Sequence, residues 1–375
     1  MTLGSRFQTK DADMPAKPDK RLPVTLITGY LGAGKTTLLN ALLADPAMGR
    51  AAVLINEFGD VGLDHDLIVE TTEEMVLLES GCMCCAVRGD LTRALSDLLA
   101  RRKAGQTGFD RVVIETSGLA DPGPILHTLL VEEALAAGYR MDGVVTLADA
   151  AHGPATLDKG FEAVAQVAMA DLIVITKADL VTPAALEDFA RRLRGIAPTA
   201  RQIVADKGRV PAGALFDLGV PKTLAKAEQA EAWVNAAAVP KPLPALTSFG
   251  SQHGLFGAAF TATQPWAAKH DDRIRSVSAV IDHPIHPGLF NIWIDTLIQL
   301  RGPDILRFKA LIWLEGENEP YAIHGVQHVF DPPVKLARAP KGDRKSRIVI
   351  IGRDIAEGVL EETLAFLNSP AETLR

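Results

Sequence analysis

Three glycines, a lysine and a threonine occur together in the segment GYLGAGKT, from Gly29 to Thr36. Glycines let the backbone curl until successive N–H groups point inward, where they can bind phosphate oxygens. Lys35 can then reach the β- and γ-phosphates of a nucleotide, and the Thr36 hydroxyl can bind Mg²⁺. A complete motif between an apolar strand and a helix is rarely a chance turn, so we predict a phosphate-binding loop. Its expected nucleotide contacts are Gly29, Gly32, Ala33, Gly34, Lys35 and Thr36.

A carboxylate stands at the end of the apolar run VVIE, at Glu115. Nucleotide hydrolases need such an acid at the end of a neighbouring buried strand, where it orders Mg²⁺ or its water. Gly118 follows, where a backbone N–H could approach the γ-phosphate. An acid and a glycine after a strand often form an ordinary turn, but downstream of a phosphate loop we favour the functional interpretation. We therefore expect Lys35 and Glu115 to be catalytic.

The segment TKAD, from Thr176 to Asp179, directly follows the apolar run LIVIT. Asp179 can accept hydrogen bonds from both N1 and N2 of guanine, a pattern of donors that adenine lacks, while the stem of Lys177 covers the base. A lone KxD sequence is common on solvated loops. Here, however, the segment comes at the second apolar strand after the one that carries the expected Mg²⁺ acid, and this position supports a nucleotide-binding role. The sequence therefore favours GTP over ATP.

All the cysteines of the chain, Cys82, Cys84 and Cys85, lie within four positions. Such a cluster cannot join distant segments by disulfides, but thiolates are good ligands for Zn²⁺, Co²⁺ or Cu⁺. Three thiolates leave a fourth position open, as a site that transfers its metal requires. The alternatives are buried, unreactive thiols and redox chemistry. We favour a transition-metal site.

A loop of five charged or titratable residues follows the second apolar run, in NEFGDVGLDHD from Asn56 to Asp66. Nucleotide hydrolases often place here a segment that rearranges with the γ-phosphate. Glu57 is the best candidate to join Mg²⁺ or to position the attacking water, so the expected Mg²⁺ ligands are Thr36, Glu57 and Glu115. An ordinary solvated acidic turn explains Asp60, Asp64 and Asp66 equally well, and His65 is by itself a weak metal candidate.

The elements that must position these residues alternate between buried strands and helices. The runs VTLIT, AAVLI, RVVIE, GVVTL and LIVIT predict strands buried on both faces, and helical patterns cover 36–43 and 91–103. This alternation indicates an α/β class, a P-loop NTPase with a doubly wound, mostly parallel sheet. Farther on, strands are expected at 276–281, 308–314, 321–330 and 347–351, with helices at 289–300 and 355–367. These predict a smaller α+β domain.

The length of 375 residues suggests two domains, because it exceeds one ordinary hydrophobic core. We expect an N-terminal tail at 1–21, a GTPase domain at 22–204, a connector at 205–250 with a helix near 222–238, and a second domain at 251–375. A net charge of −7 argues against a nucleic-acid binder. The sequence shows neither a secretory signal nor a run long enough to cross a bilayer, so a cytoplasmic protein without a membrane partner is expected.

The order of motifs resembles the CobW-type GTPases, which include cobalamin-biosynthesis CobW proteins, zinc-regulated metallochaperones and nitrile hydratase activators. The matching segments are GYLGAGKTT, NEFGDVGLD, ESGCMCC, IETSGLADP, ITKADL and, in the second domain, RFKALIWLEG and RIVIIGRD. The resemblance implies GTP hydrolysis coupled to delivery of a metal ion, with Thr37 added to the phosphate contacts. Many members also carry a His-rich segment, which this chain lacks.

We therefore expect a GTP-hydrolysing metallochaperone that uses GTP, Mg²⁺ and Zn²⁺ or Co²⁺ and delivers the metal to a client metalloprotein. No arginine finger is evident, so intrinsic turnover should be slow, on the order of 10⁻⁴ to 10⁻² per second. One alternative is a P-loop kinase for a small molecule, which leaves TKAD and the cysteines unexplained. Another is a redox-regulated GTP switch. Whether the chain forms a dimer stays open.

Overall fold

Two β-sheets organise the described part of the chain, one of seven strands and one of six. The structure is a computed structural model, and it describes residues 19–58, 75–80, 85–219, 233–234, 273–336, 344–356 and 358–367. For residues 56–58, 75–80 and 85–88 it describes the backbone alone.

The first sheet is entirely parallel, as expected for strands joined by helices. Its strands, in chain order, are β1 Leu22–Gly29, β2 Ala51–Phe58, β3 Met75–Ser80, β4 Arg111–Thr116, β5 Tyr139–Asp149, β6 Leu172–Thr176 and β7 Arg201–Val204. Their spatial order is β3-β2-β4-β1-β5-β6-β7. All five residues of β6 are buried, because helices cover both faces of the sheet.

Seven helices accompany this sheet in the described part of the chain. They are α1 Lys35–Leu43, α2 Cys85–Lys103, α3 Gly123–Val131, α4 Glu133–Gly138, α5 Gly153–Lys159, α6 Phe161–Ala168 and α7 Pro183–Ile196. Leu38 of α1 belongs to the core on one face of the sheet. Leu95 of α2 and Leu193 of α7 belong to the core on the other face. The predicted doubly wound α/β fold is confirmed.

Parallel strands place all their carboxyl ends at one edge of the sheet, and ligands bind there in folds of this kind. Gly29, Glu115, Asp149 and Thr176 lie at or within one residue of the ends of four neighbouring strands. Residues from four separate strands thus share one edge.

The second sheet is antiparallel and carries two helices on one face. Its elements are β8 Ile274–Ile281, α8 Pro287–Arg301, β9 Ile305–Ile312, β10 Tyr321–Val326, β11 Val329–Phe330, β12 Val334–Lys335, β13 Ser346–Arg353 and α9 Val359–Leu367. The order is β11-β10-β9-β13-β8, with β12 paired to β10. Phe308 and Ile350 pack with Phe290 of α8 and Leu364 of α9. The predicted smaller α+β domain is confirmed.

Several elements differ from the sequence-based expectation. The single strand expected at 321–330 is two strands, because Gln327 turns the chain with a φ of 54°. The last helix begins at Val359 and not at residue 355, since Gly358 precedes it with a φ of 85°. Strands β3, β7 and β12 were not predicted at all.

The two sheets meet through a buried ionic cluster. Asp171, just before β6, contacts Arg307, and its Oδ1 lies 3.1 Å from the Lys309 Nζ; both cations come from β9. Burial alone would raise the pKa of Asp171, but Arg307 and Lys309 hold it well below its usual range. The cluster thus replaces solvent as the partner of three charged groups.

The segment after β7 also packs on the first sheet, because Leu215 and Phe216 belong to its core. Most of the helix predicted at 222–238 lies outside the described residues, although Trp233 and Val234 are helical. Among the described helices, none combines the length and the apolar character needed to cross a membrane.

Candidate functional site

The predicted phosphate-binding loop connects β1 to α1. Gly29, Gly32 and Gly34 have φ values of 144°, 71° and 95°, in the region that favours glycine. A Cβ atom on Gly29 would lie 2.6 Å from the Leu147 carbonyl oxygen, so a side chain there would collide with β5. The loop therefore needs glycine both for its backbone angles and for its closeness to the sheet.

Lys35 lies inside this loop and is almost fully buried. Its Nζ donates to the Gly29 carbonyl at 2.9 Å and to the Tyr30 carbonyl at 3.3 Å. The ammonium group thus points back across the loop, as a lysine that serves bound phosphates would. Thr176 ties the loop to β6, because its hydroxyl donates to the Ala33 carbonyl at 2.8 Å.

The two described residues predicted to hold Mg²⁺ lie side by side. Thr36 Oγ1 is 3.3 Å from Glu115 Oε1, and the register of β1 and β4 pairs Ile27 with Glu115. A hydroxyl and a carboxylate oxygen are the hard oxygen ligands that Mg²⁺ prefers. This donor set fits the ion.

The turn after β4 packs against the phosphate loop. A Cβ on Gly118 would lie 2.7 Å from the backbone nitrogen of Leu31, so only glycine allows this approach. Thr116 joins the ends of β4 and β1, because its hydroxyl donates to Thr28 Oγ1 at 2.8 Å. Gly118 consequently lies next to the loop that the sequence predicts to bind phosphates.

The predicted guanine turn follows β6. Lys177 has a φ of 55°, and its Nζ donates to Asp149 Oδ2 at 2.7 Å. Asp179 lies in the next, short 3₁₀ turn and is exposed. An exposed carboxylate beside an ordered lysine suits recognition of a base that arrives from solvent.

Asp149 is a site residue that sequence analysis missed. Its carboxylate also contacts the His152 ring, with 3.0 Å between His152 Nδ1 and Asp149 Oδ2. Burial opposes ionisation, but the hydrogen bonds from Lys177 and His152 outweigh it and hold the pKa of Asp149 below its usual range. The available signal was the position of Asp149 at the end of an apolar strand, which is also the signal that identified Glu115.

The structure describes only some of the remaining predicted site residues. Cys82, Cys84, Asp60, Asp64, His65 and Asp66 lie outside the described residues. Cys85 is the first residue of α2, and the backbone of Glu57 lies in β2, one residue beyond the pair formed by Asn56 and Thr116. Glu57 is thus at the same sheet edge as Glu115.

A phosphate loop after the first strand, an acid on the adjacent strand and a Thr-Lys-x-Asp turn define a P-loop nucleotide hydrolase, here with a second antiparallel domain. Two family models match the chain. The description CobW/HypB/UreG, nucleotide-binding domain, covers residues 23–204, and the cobalamin synthesis protein cobW C-terminal domain covers 274–367. The chain belongs to this CobW family.

Individual relatives agree with the family match. The zinc chaperone YjiA of Escherichia coli is 31% identical over 352 residues, which are 92% of this chain and 99% of that protein. The zinc chaperone CobW of Pseudomonas aeruginosa is 34% identical over 56% of this chain and 64% of that protein. The zinc-regulated GTPase metalloprotein activator 1 of Schizosaccharomyces pombe is 38% identical over 55% of this chain and 50% of that protein.

A solved structure extends the likeness to the fold. The crystal structure of Zn(II)-bound YjiA GTPase from E. coli matches with a TM-score of 0.65 and 28% identity, over 93% of this chain and 99% of that one. The predicted CobW resemblance and the predicted GTPase activity are confirmed by these matches.

Proposed function

We propose that this protein is a GTP-driven chaperone that holds a zinc ion on the cysteines of GCMCC and transfers it to a client metalloprotein. The observation that carries the proposal is the pairing of β2 with β3, which ends with Phe58 opposite Ser80. The chain leaves both strands at the sheet edge where Thr36 meets Glu115. The described ends of β2 and β3, from which the chain continues into the acidic loop and the cysteine segment, therefore lie at the same sheet edge as the expected Mg²⁺ ligands.

Hydrolysis at this edge uses residues of the phosphate loop and of the neighbouring strands. When bound by Thr36 and Glu115, with Glu57 as a further ligand or a guide for water, Mg²⁺ would supply positive charge to the phosphate oxygens. Lys35 exchanges its carbonyl partners for the β- and γ-phosphates. Gly118 offers its backbone N–H to the γ-phosphate. These contacts stabilise the negative charge that develops as water attacks.

The TKAD turn selects guanine in this proposal. Asp179 accepts hydrogen bonds from guanine N1 and N2, and the aliphatic stem of Lys177 covers the base. Asp149 supports this arrangement, because its hydrogen bond to Lys177 Nζ fixes the end of the stem. Adenine lacks the matching donors, so the site prefers GTP.

Zinc is the cargo, and Cys82, Cys84 and Cys85 are its proposed ligands. Thiolates form strong bonds to Zn²⁺ and bind it more tightly than Co²⁺ by intrinsic affinity. The names of the zinc chaperone relatives support the same choice. Cysteine thiols stay reduced in the cytosol, so a site built of thiolates supports a cytoplasmic location.

Nucleotide and metal binding are coupled in this proposal. GTP and Mg²⁺ order the 56–66 loop and the cysteine segment, which raises zinc affinity. Hydrolysis relaxes both segments and releases the ion to the client. Linkage requires zinc to raise the affinity for GTP by the same factor.

The test is a titration of the reduced protein with Zn²⁺ and, separately, Co²⁺ against a chromophoric chelator, with a GTP analogue or GDP present. We expect one tight Zn²⁺ site and a zinc affinity at least about fivefold higher with the analogue, the lower end of common coupling energies. Cys84→Ser should abolish tight binding. Lys35→Ala should keep zinc binding but lose its dependence on the nucleotide.

Equal zinc affinities in the two nucleotide states would overturn the coupling, and no stoichiometric binding would overturn the metal site. Thiol counting with and without zinc separates metal binding from a disulfide-based redox switch. Release of phosphate with water as its sole acceptor separates hydrolysis from a kinase reaction.

A further inference from the structure

A buried glutamine holds the turn that carries Gly118. Gln166 lies in α6, and only 1% of it is exposed. Its side-chain amide donates to the Gly118 carbonyl at 3.3 Å and to the Ala120 carbonyl at 2.9 Å. The turn is closed within itself by the Ala120 N–H, which donates to the Ser117 carbonyl at 3.2 Å. One side chain of another element thus fixes two carbonyls of this turn.

The orientation of the 117–120 turn matters for the phosphate site. The Gly118 N–H lies in one planar peptide unit with the Ser117 carbonyl, which accepts from the Ala120 N–H. Gln166 holds the Gly118 and Ala120 carbonyls of the same turn, and this restricts where the Gly118 N–H can point. Gly118 already lies against the phosphate loop, with no room for a Cβ beside the Leu31 backbone. Gln166 therefore acts on the one backbone donor in this turn that we assign to the γ-phosphate.

The chemistry of Gln166 argues against a purely packing role. Its Oε1 is buried and has no hydrogen-bond partner among the described residues. An unsatisfied buried acceptor is costly, and an apolar side chain of the same size would avoid that cost. The amide donors are what glutamine provides here and methionine could not.

Helix α6 is a rigid support for this side chain. The Thr146 hydroxyl of β5 donates to the main-chain carbonyl of Gln166 at 2.8 Å. At the start of the helix, the Phe161 ring stacks with two guanidinium groups of the second domain, Arg273 at 4.3 Å and Arg353 at 5.6 Å. Helix α6, and with it the backbone of Gln166, is consequently held from the sheet and from the second domain.

We propose that Gln166 is a positioning residue for GTP hydrolysis, which holds the 117–120 turn so that the Gly118 N–H faces the γ-phosphate. The proposal rests on the assignment of Gly118 under the proposed function. The proposal predicts that Gln166 affects the binding of a nucleotide with a γ-phosphate and does not affect the binding of GDP. It also gives the second domain a contact path, through Phe161 and α6, to the hydrolytic site.

The test variant is Gln166→Met, which keeps the volume and removes the donors. We expect its affinity for a GTP analogue and its kcat each to fall about tenfold, as for the loss of two neutral hydrogen bonds. Its affinity for GDP should change by less than about twofold, because GDP has no γ-phosphate for the Gly118 N–H to meet. Isothermal titration and phosphate release measure these quantities.

The matched control is Thr146→Val, which removes a buried hydrogen bond to the same helix residue but makes no hydrogen bond to the turn. It should affect GDP and the analogue by the same factor. The proposal is overturned if Gln166→Met affects both nucleotides equally or neither. If that variant does not fold, Gln166→Asn, whose shorter side chain withdraws the donors, should show the same selective loss.

A Gly118→Ala variant distinguishes a failure of this inference from a failure of the proposed function on which it rests. If Gly118→Ala leaves kcat unchanged, the assignment of Gly118 to the γ-phosphate fails. If Gly118→Ala impairs kcat while Gln166→Met behaves as wild type, only the role of Gln166 fails.

Discussion

The Thr36 hydroxyl lies 3.3 Å from the Glu115 carboxylate, although 79 residues separate them in the chain. The pairing of β1 with β4 produces this contact, because it sets Ile27 beside Glu115 and so brings the start of α1 close to the end of β4. The register of the sheet itself forms the pair. Little reorganisation is then needed when Mg²⁺ and GTP arrive, which is the condition for effective electrostatic stabilisation.

Replacement of this acid should therefore impair chemistry more than folding. We expect Glu115→Gln to lower kcat by about 100-fold or more, the usual effect of removing one group that stabilises transition-state charge. Phosphate release measured across a Mg²⁺ titration reports the loss. Thr36→Ser keeps a hydroxyl and should stay near wild type. A Glu115→Gln enzyme with normal turnover would remove Glu115 from the Mg²⁺ site.

Asp149 should control nucleotide affinity without controlling hydrolysis. Its bond to Lys177 is charge-assisted and mostly buried, and such bonds contribute about 1.5–3 kcal/mol. We expect Asp149→Asn to weaken GTP and GDP alike by about tenfold, at the lower end of that range. Saturating kcat should be nearly unchanged. Fluorescent-nucleotide titrations measure both affinities.

His152→Ala is the control for that variant, because the His152 side chain is 75% exposed and its contact with Asp149 is largely solvated. It should change either affinity by less than about twofold, as is usual for exposed pairs. A selective loss of GTP binding in Asp149→Asn, with GDP unaffected, would contradict a role at the base.

Local sequence predicted the parts of the site that short segments define. The phosphate loop, Glu115 and the TKAD turn each follow an apolar strand, so a single run of residues supplies both the motif and its position. Asp149 also ends an apolar strand, but its contact with Lys177 depends on the pairing of β5 with β6, which sets it beside Thr176. That register is a tertiary property. Gln166 resembles an ordinary polar helix residue until the packing of α6 shows that it is buried.

The errors in the second domain have similar causes. The turn between β10 and β11 contains Gln327 and His328 and no glycine, asparagine or aspartate, so the turn itself carries no usual turn signal. The contact between Asp171 and Arg307 spans 136 positions, and each residue lies next to an apolar strand segment that would also fit a simple core. Sequence periodicity predicts elements but not which charges they bring together.

Asp171 should be important for stability because it is the shared partner of two buried cations. We expect Asp171→Asn to lower the free energy of unfolding by about 3–5 kcal/mol, since it leaves Arg307 and Lys309 buried without their counter-charge. Urea unfolding measures the loss. Glu187→Gln breaks the exposed pair of Glu187 with Arg194 and should cost less than about 1 kcal/mol. Similar losses in the two variants would contradict a central role for the buried cluster.

His324 should make stability depend on pH near neutrality. It is buried beside Asp331, with 3.0 Å between His324 Nδ1 and Asp331 Oδ2. Burial and the nearby Arg307 lower the pKa of His324 despite Asp331. The unfolded chain therefore binds a proton more readily than the folded chain, so stability is lost as the pH falls below about 6.5.

The size of this effect is limited by one proton, about 1.4 kcal/mol per pH unit at most. We expect His324→Gln to flatten the fall in unfolding free energy between about pH 6.5 and pH 5, because glutamine can still bond to Asp331 but cannot titrate. Urea unfolding at several pH values gives the slopes. His283→Gln, at an exposed position, should leave the wild-type slope in place. If His324→Gln keeps the full slope as well, the acid sensitivity originates at other groups and His324 does not titrate on unfolding in this range.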